Sequence, residues 1–210
     1  MKHLIIVGTG SLSKIIHDLA LESSDNNRQW RIKGFLAVNE EGAQPDNLYP
    51  PMVGLLNAYF PKSDDVFVCA LTQQHEKRQA VELIEKKGGR FINLIHKHAN
   101  INRTSRFGKG ITIGAHTTIS VHTVIEDHVT IQDHCHIGHD STIKPFCNLY
   151  VGVLLSGKNL VEESVSLFTG SVVYPNIKIK KNATVGAGGV VMRHVKEGTT
   201  VLGNPAKKFE

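Results

Sequence analysis

Three cysteines in 210 residues are too few, and odd in number, for a disulfide framework. Cys69, Cys135 and Cys147 are therefore expected to stay reduced, as in a cytoplasmic protein. Aromatic residues make up only 6% of the chain, and the basic residues are scattered. No nucleic-acid partner is expected on that basis. No apolar run is long enough to span a bilayer, and the N-terminus does not read as a secretory leader, so no membrane insertion is expected. The formal charge of +5 and pI near 9.1 suit a small anionic ligand.

What the chain does have is a repeat. Every sixth residue from Ile95 to Val191 is large and apolar, among them Ile113, Ile131, Leu149, Leu167 and Val185. The residue two before each is mostly small or β-branched, as at Ser105, Thr117, Val129, Ser141 and Val153. A helix repeats every 3.6 residues and would smear such a stripe around its surface. Short strands joined by tight corners keep it on one side, and a hexapeptide period is the signature of a parallel β-helix. Three hexads make one triangular coil, so residues eighteen apart stack at about 4.8 Å. Three inward ladders follow: Ile101 to Val191, Ile113 to Val185 and Phe107 to Ile179. Cys135 and Cys147 fall on inward positions and read as packing residues.

The residues before Ile95 have no such period. Leu4 to Val7 reads as a buried strand, Leu12 to Leu21 as a helix, Arg31 to Val38 as a second strand, and the stretch to Pro51 as a polar loop. Asp65 to Leu71 reads as a third strand, Gln73 to Lys87 as an amphipathic helix and Phe91 to Leu94 as a fourth strand. Strands alternating with helices predict a small parallel α/β domain. Gly8-x-Gly10-x-x-Ser13 is an incomplete phosphate-binding turn at a helix N-terminus. Ser13 replaces the third glycine, and Leu36-Ala37-Val38 offers no acid for a ribose hydroxyl, which argues against NAD. A diphosphate of another kind and a plain tight turn both remain open readings.

Among twelve histidines, His116, His122, His128 and His134 recur every six residues, with Asp140 next in the series. They read as an outward, solvated row rather than a metal site; His116 should stack on His134, and His122 on Asp140. His139 stands apart from that row. Gly157 follows it by eighteen residues and should lie one coil away on the same face. An exposed imidazole beside an accessible backbone N–H is what acyl transfer needs, a general base and an oxyanion donor.

Several segments together carry a resemblance. They are Ile6-Val7-Gly8-Thr9-Gly10, Gly34-Phe35-Leu36, Pro51-Met52-Val53-Gly54, Phe91-Ile92-Asn93-Leu94-Ile95-His96, Gly138-His139-Asp140, Leu155-Ser156-Gly157, Val185-Gly186-Ala187-Gly188-Gly189-Val190-Val191 and Gly203-Asn204-Pro205-Ala206-Lys207. With them the chain resembles the hexapeptide-repeat acyltransferases that carry an N-terminal Rossmann-like domain. That group includes sialic acid O-acetyltransferases and UDP-4-amino-sugar N-acetyltransferases. The resemblance implies a Rossmann-like α/β acceptor domain over residues 1–94. It implies a left-handed β-helix with a CoA-covering C-terminal segment over residues 95–210, a homotrimer, and no metal.

The resemblance further implies acetyl-CoA as the acyl donor and an amino or hydroxyl group of a sugar, nucleotide-linked, as the acceptor in surface glycan synthesis. His139 would be the base, Asp140 its acidic partner and Gly157 the oxyanion donor. Gly157, Gly186, Ala187, Gly203, Pro205 and Lys207 would meet acetyl-CoA. Gly8, Thr9, Gly10, Ser11 and Asn148 would meet the acceptor. The chain departs from the family at Asn148, where many members have a second histidine, at Ala37-Val38 and at Leu71-Thr72-Gln73. Adjacent strand residues point to opposite faces, so Asp140 can reach His139 only if that segment turns. Acetylation of free sialic acid or of an amino acid such as serine is the alternative within enzymes. A metal-binding or scaffolding β-helix is the alternative outside them.

Overall fold

The computed structural model describes residues 1–23, 30–40 and 47–209. The chain divides into two compact units, Met1–Lys97 and His98–Glu210. No helix among the described residues is long and apolar enough to cross a membrane.

The first unit contains, in chain order, β1 (Lys2–Val7), α1 (Ser11–Leu21), β2 (Trp30–Ala37), β3 (Met52–Leu55), β4 (Asp65–Cys69) and α2 (Gln74–Lys86). The four strands form a parallel sheet in the order β3-β2-β1-β4. β1 and β4 are buried on both faces, which is why they read as continuous apolar runs. Leu12, Ile16, Leu19 and Ala20 of α1 pack with Leu4, Ile6, Phe35, Val66 and Val68 in one core. α2 lies against β4 and buries Lys77, Ala80, Val81 and Ile84.

Two expectations need correction here. β3 is a strand that the sequence pattern did not reveal, because all four of its residues are only half-buried and show no alternation. It is docked by the Phe35 N–H, which donates to the Pro51 carbonyl at 3.0 Å. Gly34, at φ +154°, permits this approach, since a Cβ there would lie 2.2 Å from the Pro51 oxygen. Phe91 to Leu94 is not a continuous strand: Phe91 makes an isolated bridge to Phe67, and the next strand is Leu94–Ile95. Residues 41–46 of the polar loop expected before Pro51 lie outside the described residues.

The second unit is a parallel β-solenoid of two-residue strands separated by tight corners. Its three ladders are those the eighteen-residue spacing predicts. One face pairs Ile101, Ile119, Ile137, Leu155, Val173 and Val191 in register and is called here the His136 face. The Thr142 face pairs Phe107, Ile125, Ile143, Val161 and Ile179. The Asn148 face pairs Ile113, Ile131, Leu149, Leu167 and Val185. From Ile113 to Val191 no ladder residue is more than 2% exposed.

The second inward row carries small polar groups that bond to backbone carbonyls at the corners. Thr117 Oγ1 donates to the Gln132 carbonyl at 2.8 Å, and Cys147 Sγ to that of Glu162 at 3.0 Å. Burial pushes the Cys135 thiol up to about 11 and raises that of Cys69, so neither is a resting thiolate.

From Gly110 to Gly188, each corner places one residue in the left-handed region. His116, His122, His128, His134, Asp140, Lys158 and Asn176 have φ between 54° and 61°. That conformation costs a non-glycine residue on the order of 1 kcal/mol. It is offset by a backbone bond one coil back, such as His134 N–H to the Ala115 carbonyl at 2.9 Å. At the C-terminal end, Thr200–Leu202 adds to the Asn148 face beside Val185. It then turns back antiparallel onto Lys207–Lys208.

Candidate functional site

His139 and Asp140 occupy the corner between the His136 and Thr142 faces, on a turn rather than a strand. Asp140 has φ 56°, and this positive φ removes the obstacle of strand alternation. The two side chains now lie on one side, with His139 Nδ1 2.7 Å from Asp140 Oδ2. The carboxylate accepts from Nδ1–H, which leaves Nε2 as the basic nitrogen. Both side chains are about half exposed, 51% and 47%. The hydrogen bond from His139 holds the Asp140 carboxyl below its usual range. Desolvation opposes it, and the charges of His139, His122 and Lys158 each add a lesser contribution that lowers it further.

Gly157 lies one coil on, as the spacing predicts. A Cβ there would sit 2.4 Å from His139 Nε2, so only glycine lets the imidazole lie against the backbone. Gly138 makes the same close approach one coil earlier, with a built Cβ 2.6 Å from Gly157 N. Gly138 carries no role in the motif alone. Its place in the column Gly138-Ser156-Tyr174 was the available signal. Among the described residues, the Gly157 N–H donates to no backbone carbonyl.

Gly186 and Ala187 lie at the other corner bounding the His136 face, towards the C-terminal end. A Cβ on Gly186 would meet Leu202 Cδ1 at 2.6 Å, so this glycine lets the terminal hairpin close down. Gly203 accepts from the Val190 N–H at 2.9 Å, and the Ala206 N–H donates to the Val190 carbonyl at 2.8 Å. Pro205 and Lys207 are exposed on that hairpin. Within one chain these residues form a second cluster, at a different corner from His139. Asn148 joins neither: it is 3% exposed within the Asn148 face, between Thr130 and Ser166.

Before the terminal hairpin, on which Leu202 and Phe209 are 44% and 63% exposed, the large exposed apolar residues of the coils are distributed unevenly. Val121, Val151, Leu154, Phe168, Tyr174 and Met192 are each 38–48% exposed. All lie on the His136 face or its two bounding corners, the face that carries both clusters. Tyr150 and Phe168 stack there at 4.6 Å.

In the first unit, Gly8 donates its N–H to the Leu36 carbonyl at 2.9 Å and has φ +117°. Gly10 is the N-cap of α1, in extended conformation and with no side-chain cap. Nothing lies within 4 Å of a Cβ built on it. Thr9 is half-buried and Ser11 exposed. The Ser13 hydroxyl is fully buried without a hydrogen-bond partner, about 3.0 Å from where a Gly8 Cβ would be.

The histidine row departs from expectation at one point. His116, His122 and His134 are exposed, but His128 is 2% exposed and stacks on Phe146 at 5.2 Å. It belongs to the corner between the Thr142 and Asn148 faces. His98 extends the expected His116–His134 stack to three rings, at 5.7 and 5.1 Å.

No protein-family model matches the chain. A serine acetyltransferase of Staphylococcus epidermidis is 35% identical over 115 residues, 50% of this chain and 51% of that protein. One from Synechococcus elongatus is 33% identical over 79 residues, 34% of this chain and 32% of that protein. The chain thus spans between a third and a half of the length of these relatives. Among the solved structures that match almost end to end are the following three. The acetyltransferase domain of PglB from Neisseria gonorrhoeae, in complex with acetyl coenzyme A, has a TM-score of 0.87 at 24% identity and 99% coverage of both chains. WeeI from Acinetobacter baumannii has 0.87 at 21% identity, covering 100% of both. PerB from Caulobacter crescentus, in complex with CoA and GDP-perosamine, has 0.80 at 22% identity, covering 100% of this chain and 98% of that one. At these identities the likeness is one of fold.

Proposed function

We propose that this protein is an acetyl-CoA-dependent acetyltransferase acting on an amino group, or a hydroxyl, of a nucleotide-linked sugar. The observation that carries the reading is the His139 corner: a base oriented through Nδ1 by Asp140, with Nε2 against the backbone of Gly157. As the acceptor nitrogen or oxygen attacks the thioester carbonyl, Nε2 takes its proton. The Gly157 N–H receives the developing oxyanion, and CoA leaves as the thiol after the tetrahedral intermediate collapses. No covalent enzyme intermediate is needed, since the inward cysteines are buried and poorly placed.

The division of labour follows from the two units. Residues 1–94, read as a Rossmann-like acceptor domain, hold the nucleotide, with the diphosphate at Gly8, Thr9, Gly10 and Ser11. The uncapped N-terminus of α1 favours an anion through its free N–H groups. Gly10 leaves open space in front of it. Residues 95–210, read as a left-handed β-helix, bind acetyl-CoA at Gly157, Gly186, Ala187, Gly203, Pro205 and Lys207. A homotrimer reconciles the two clusters on the His136 face, because one copy's His139 corner can then meet a neighbour's Gly186 corner across the exposed apolar residues. Asn148, 3% exposed within its own chain, has no contact with the acceptor in this reading. PerB, solved with CoA and GDP-perosamine, and PglB, solved with acetyl coenzyme A, support this reading through their shared fold. The reaction belongs in the cytoplasm, where acetyl-CoA is made and thiols stay reduced.

A free-thiol assay tests the reading, with acetyl-CoA and a panel of UDP-, dTDP-, GDP- and CMP-linked amino sugars. Thiol release with at least one nucleotide sugar is expected. The likeness to serine acetyltransferases gives a second reading, in which a small free acceptor binds near His139. Release with serine or sialic acid and with no nucleotide sugar would establish that instead.

A further inference from the structure

We infer that Lys158 is a positioning residue for the His139–Asp140 pair, acting with His122 by bracketing the Asp140 carboxylate along the axis of the solenoid. The inference rests on the acetyl-transfer reading for its catalytic meaning, but not for its geometry. His122, Asp140 and Lys158 are eighteen residues apart and occupy the same corner in successive coils. Their φ values are 54°, 56° and 61°, so their Cα–Cβ bonds leave the corner in parallel. Backbone bonds lock the register: the Asp140 N–H donates to the Val121 carbonyl at 3.1 Å, and the Lys158 N–H to that of His139 at 2.7 Å. The His122 N–H is held by Thr104 Oγ1 at 2.8 Å. At a rise of about 4.8 Å per coil, the carboxylate has one basic side chain on each side.

The charged groups facing Asp140 are therefore His139, His122 and Lys158, and the column ends in the neutral Thr104 and Asn176. The arrangement matters because Asp140 has two effects on its partner. Its hydrogen bond fixes the tautomer that leaves Nε2 free. Its charge also favours the protonated imidazolium, which cannot act as a base. Lys158 opposes the second effect without touching the first, since its ammonium repels an imidazolium while leaving the Nδ1–H bond in place. His122 adds to this only when it is itself protonated. All of these side chains are exposed, so the influence passes through water and is modest and salt-sensitive.

The test compares Lys158→Met, Lys158→Glu and Lys158→Arg. In low salt, loss of the ammonium should move the titration midpoint of the His139–Asp140 pair to higher pH by about 0.3 unit, and charge reversal by about 0.6. Both follow from ring-carbon NMR, with the His139 signal identified by its loss in His139→Asn. Lys158→Arg should leave the midpoint where it is, and about 1 M salt should erase the differences. In the transfer assay the acid limb of kcat/KM should follow, a loss of about twofold for Lys158→Met and fourfold for Lys158→Glu on the acid side. An unmoved midpoint in both the Met and Glu variants overturns the inference. So does an unmoved limb with a raised KM for either substrate, which would make Lys158 a ligand contact. The NMR shift appears whether or not acetyl groups are transferred, so an inactive protein with a moving midpoint condemns the functional reading and leaves this one standing.

Discussion

The two units are stabilised in different ways. In the solenoid, stability is spread over a ladder that repeats every eighteen residues, so each apolar residue meets neighbours of its own kind above and below. In the first unit it is concentrated at single places. Asp65, 2% exposed, accepts from Lys33 Nζ at 2.8 Å, the Tyr59 hydroxyl at 2.7 Å and the Lys62 N–H at 2.8 Å. Lys87 Nζ binds the carbonyls of Leu56, Asn57 and Tyr59. These ties fasten the irregular segment between β3 and β4. A periodic unit can place a reactive corner anywhere along its axis without special support. An aperiodic unit must hold its irregular loops with individual polar contacts.

The contrast predicts how each unit breaks. The largest effect belongs to the reactive corner. His139→Ala should lower kcat by about a hundredfold to ten-thousandfold with acetyl-CoA still bound, as read by steady-state kinetics and calorimetry. Near-full turnover in that variant removes His139 from the mechanism. Next come the two kinds of support. Ile137→Ala should cost about 2–5 kcal/mol by denaturant unfolding, because the neighbouring coils cannot close the cavity without breaking register.

Asp65→Asn should cost about 3 kcal/mol and act on the first unit alone. Burial by itself would raise the Asp65 carboxyl, but Lys33, the Lys62 N–H and Tyr59 outweigh it and hold it below the usual range. Its stabilisation is therefore present above the unfolded carboxylate value, about 4. It is lost as pH falls through the lower folded value. Between pH 5 and pH 2 the melting point of the parent protein should drop more than that of Asp65→Asn. Equal slopes would show that another carboxylate governs acid unfolding.

Smaller effects sharpen the division of roles. Gly10 is extended, at φ −78°, with open space where a Cβ would go, so Gly10→Val should fold with an unchanged melting point. It should raise KM for the nucleotide sugar by about tenfold, the scale of one displaced charge-assisted contact, and leave KM for acetyl-CoA alone. An unchanged sugar KM would move the acceptor site to the His139 corner. The smallest effect expected is that of Ser13→Ala. Removing a buried hydroxyl that has no partner should change stability by less than about 0.5 kcal/mol, or raise it. A larger loss would mean that the hydroxyl is paired in solution.

The solenoid could be read from sequence because its environment is a function of position. Once Ile137 is known to face inward, so are Ile119 and Leu155, and Gly157 must follow His139 by one coil. The same arithmetic placed Cys135 and Cys147 inside. It failed at His128, since the outward row passes through three different corners in turn and only one of them is covered. It also left Asp140 in doubt, because a two-residue period assumes a strand where the chain has a corner. In the first unit, β3 had no pattern to find, and its strand character comes from pairing with β2 rather than from its own residues.

The amino-acid sequence by itself determined the coil, its register and the stacking of Gly157 on His139, because a strict repeat makes long-range neighbours a matter of counting. Only the tertiary structure decided that Asp140 reaches Nδ1. It alone also decided that the Gly186 and Gly203 cluster lies at another corner from the base. Those facts depend on a left-handed φ at each turn and on the direction in which a side chain leaves it. A one-dimensional period fixes which residues stack, but not which way they face.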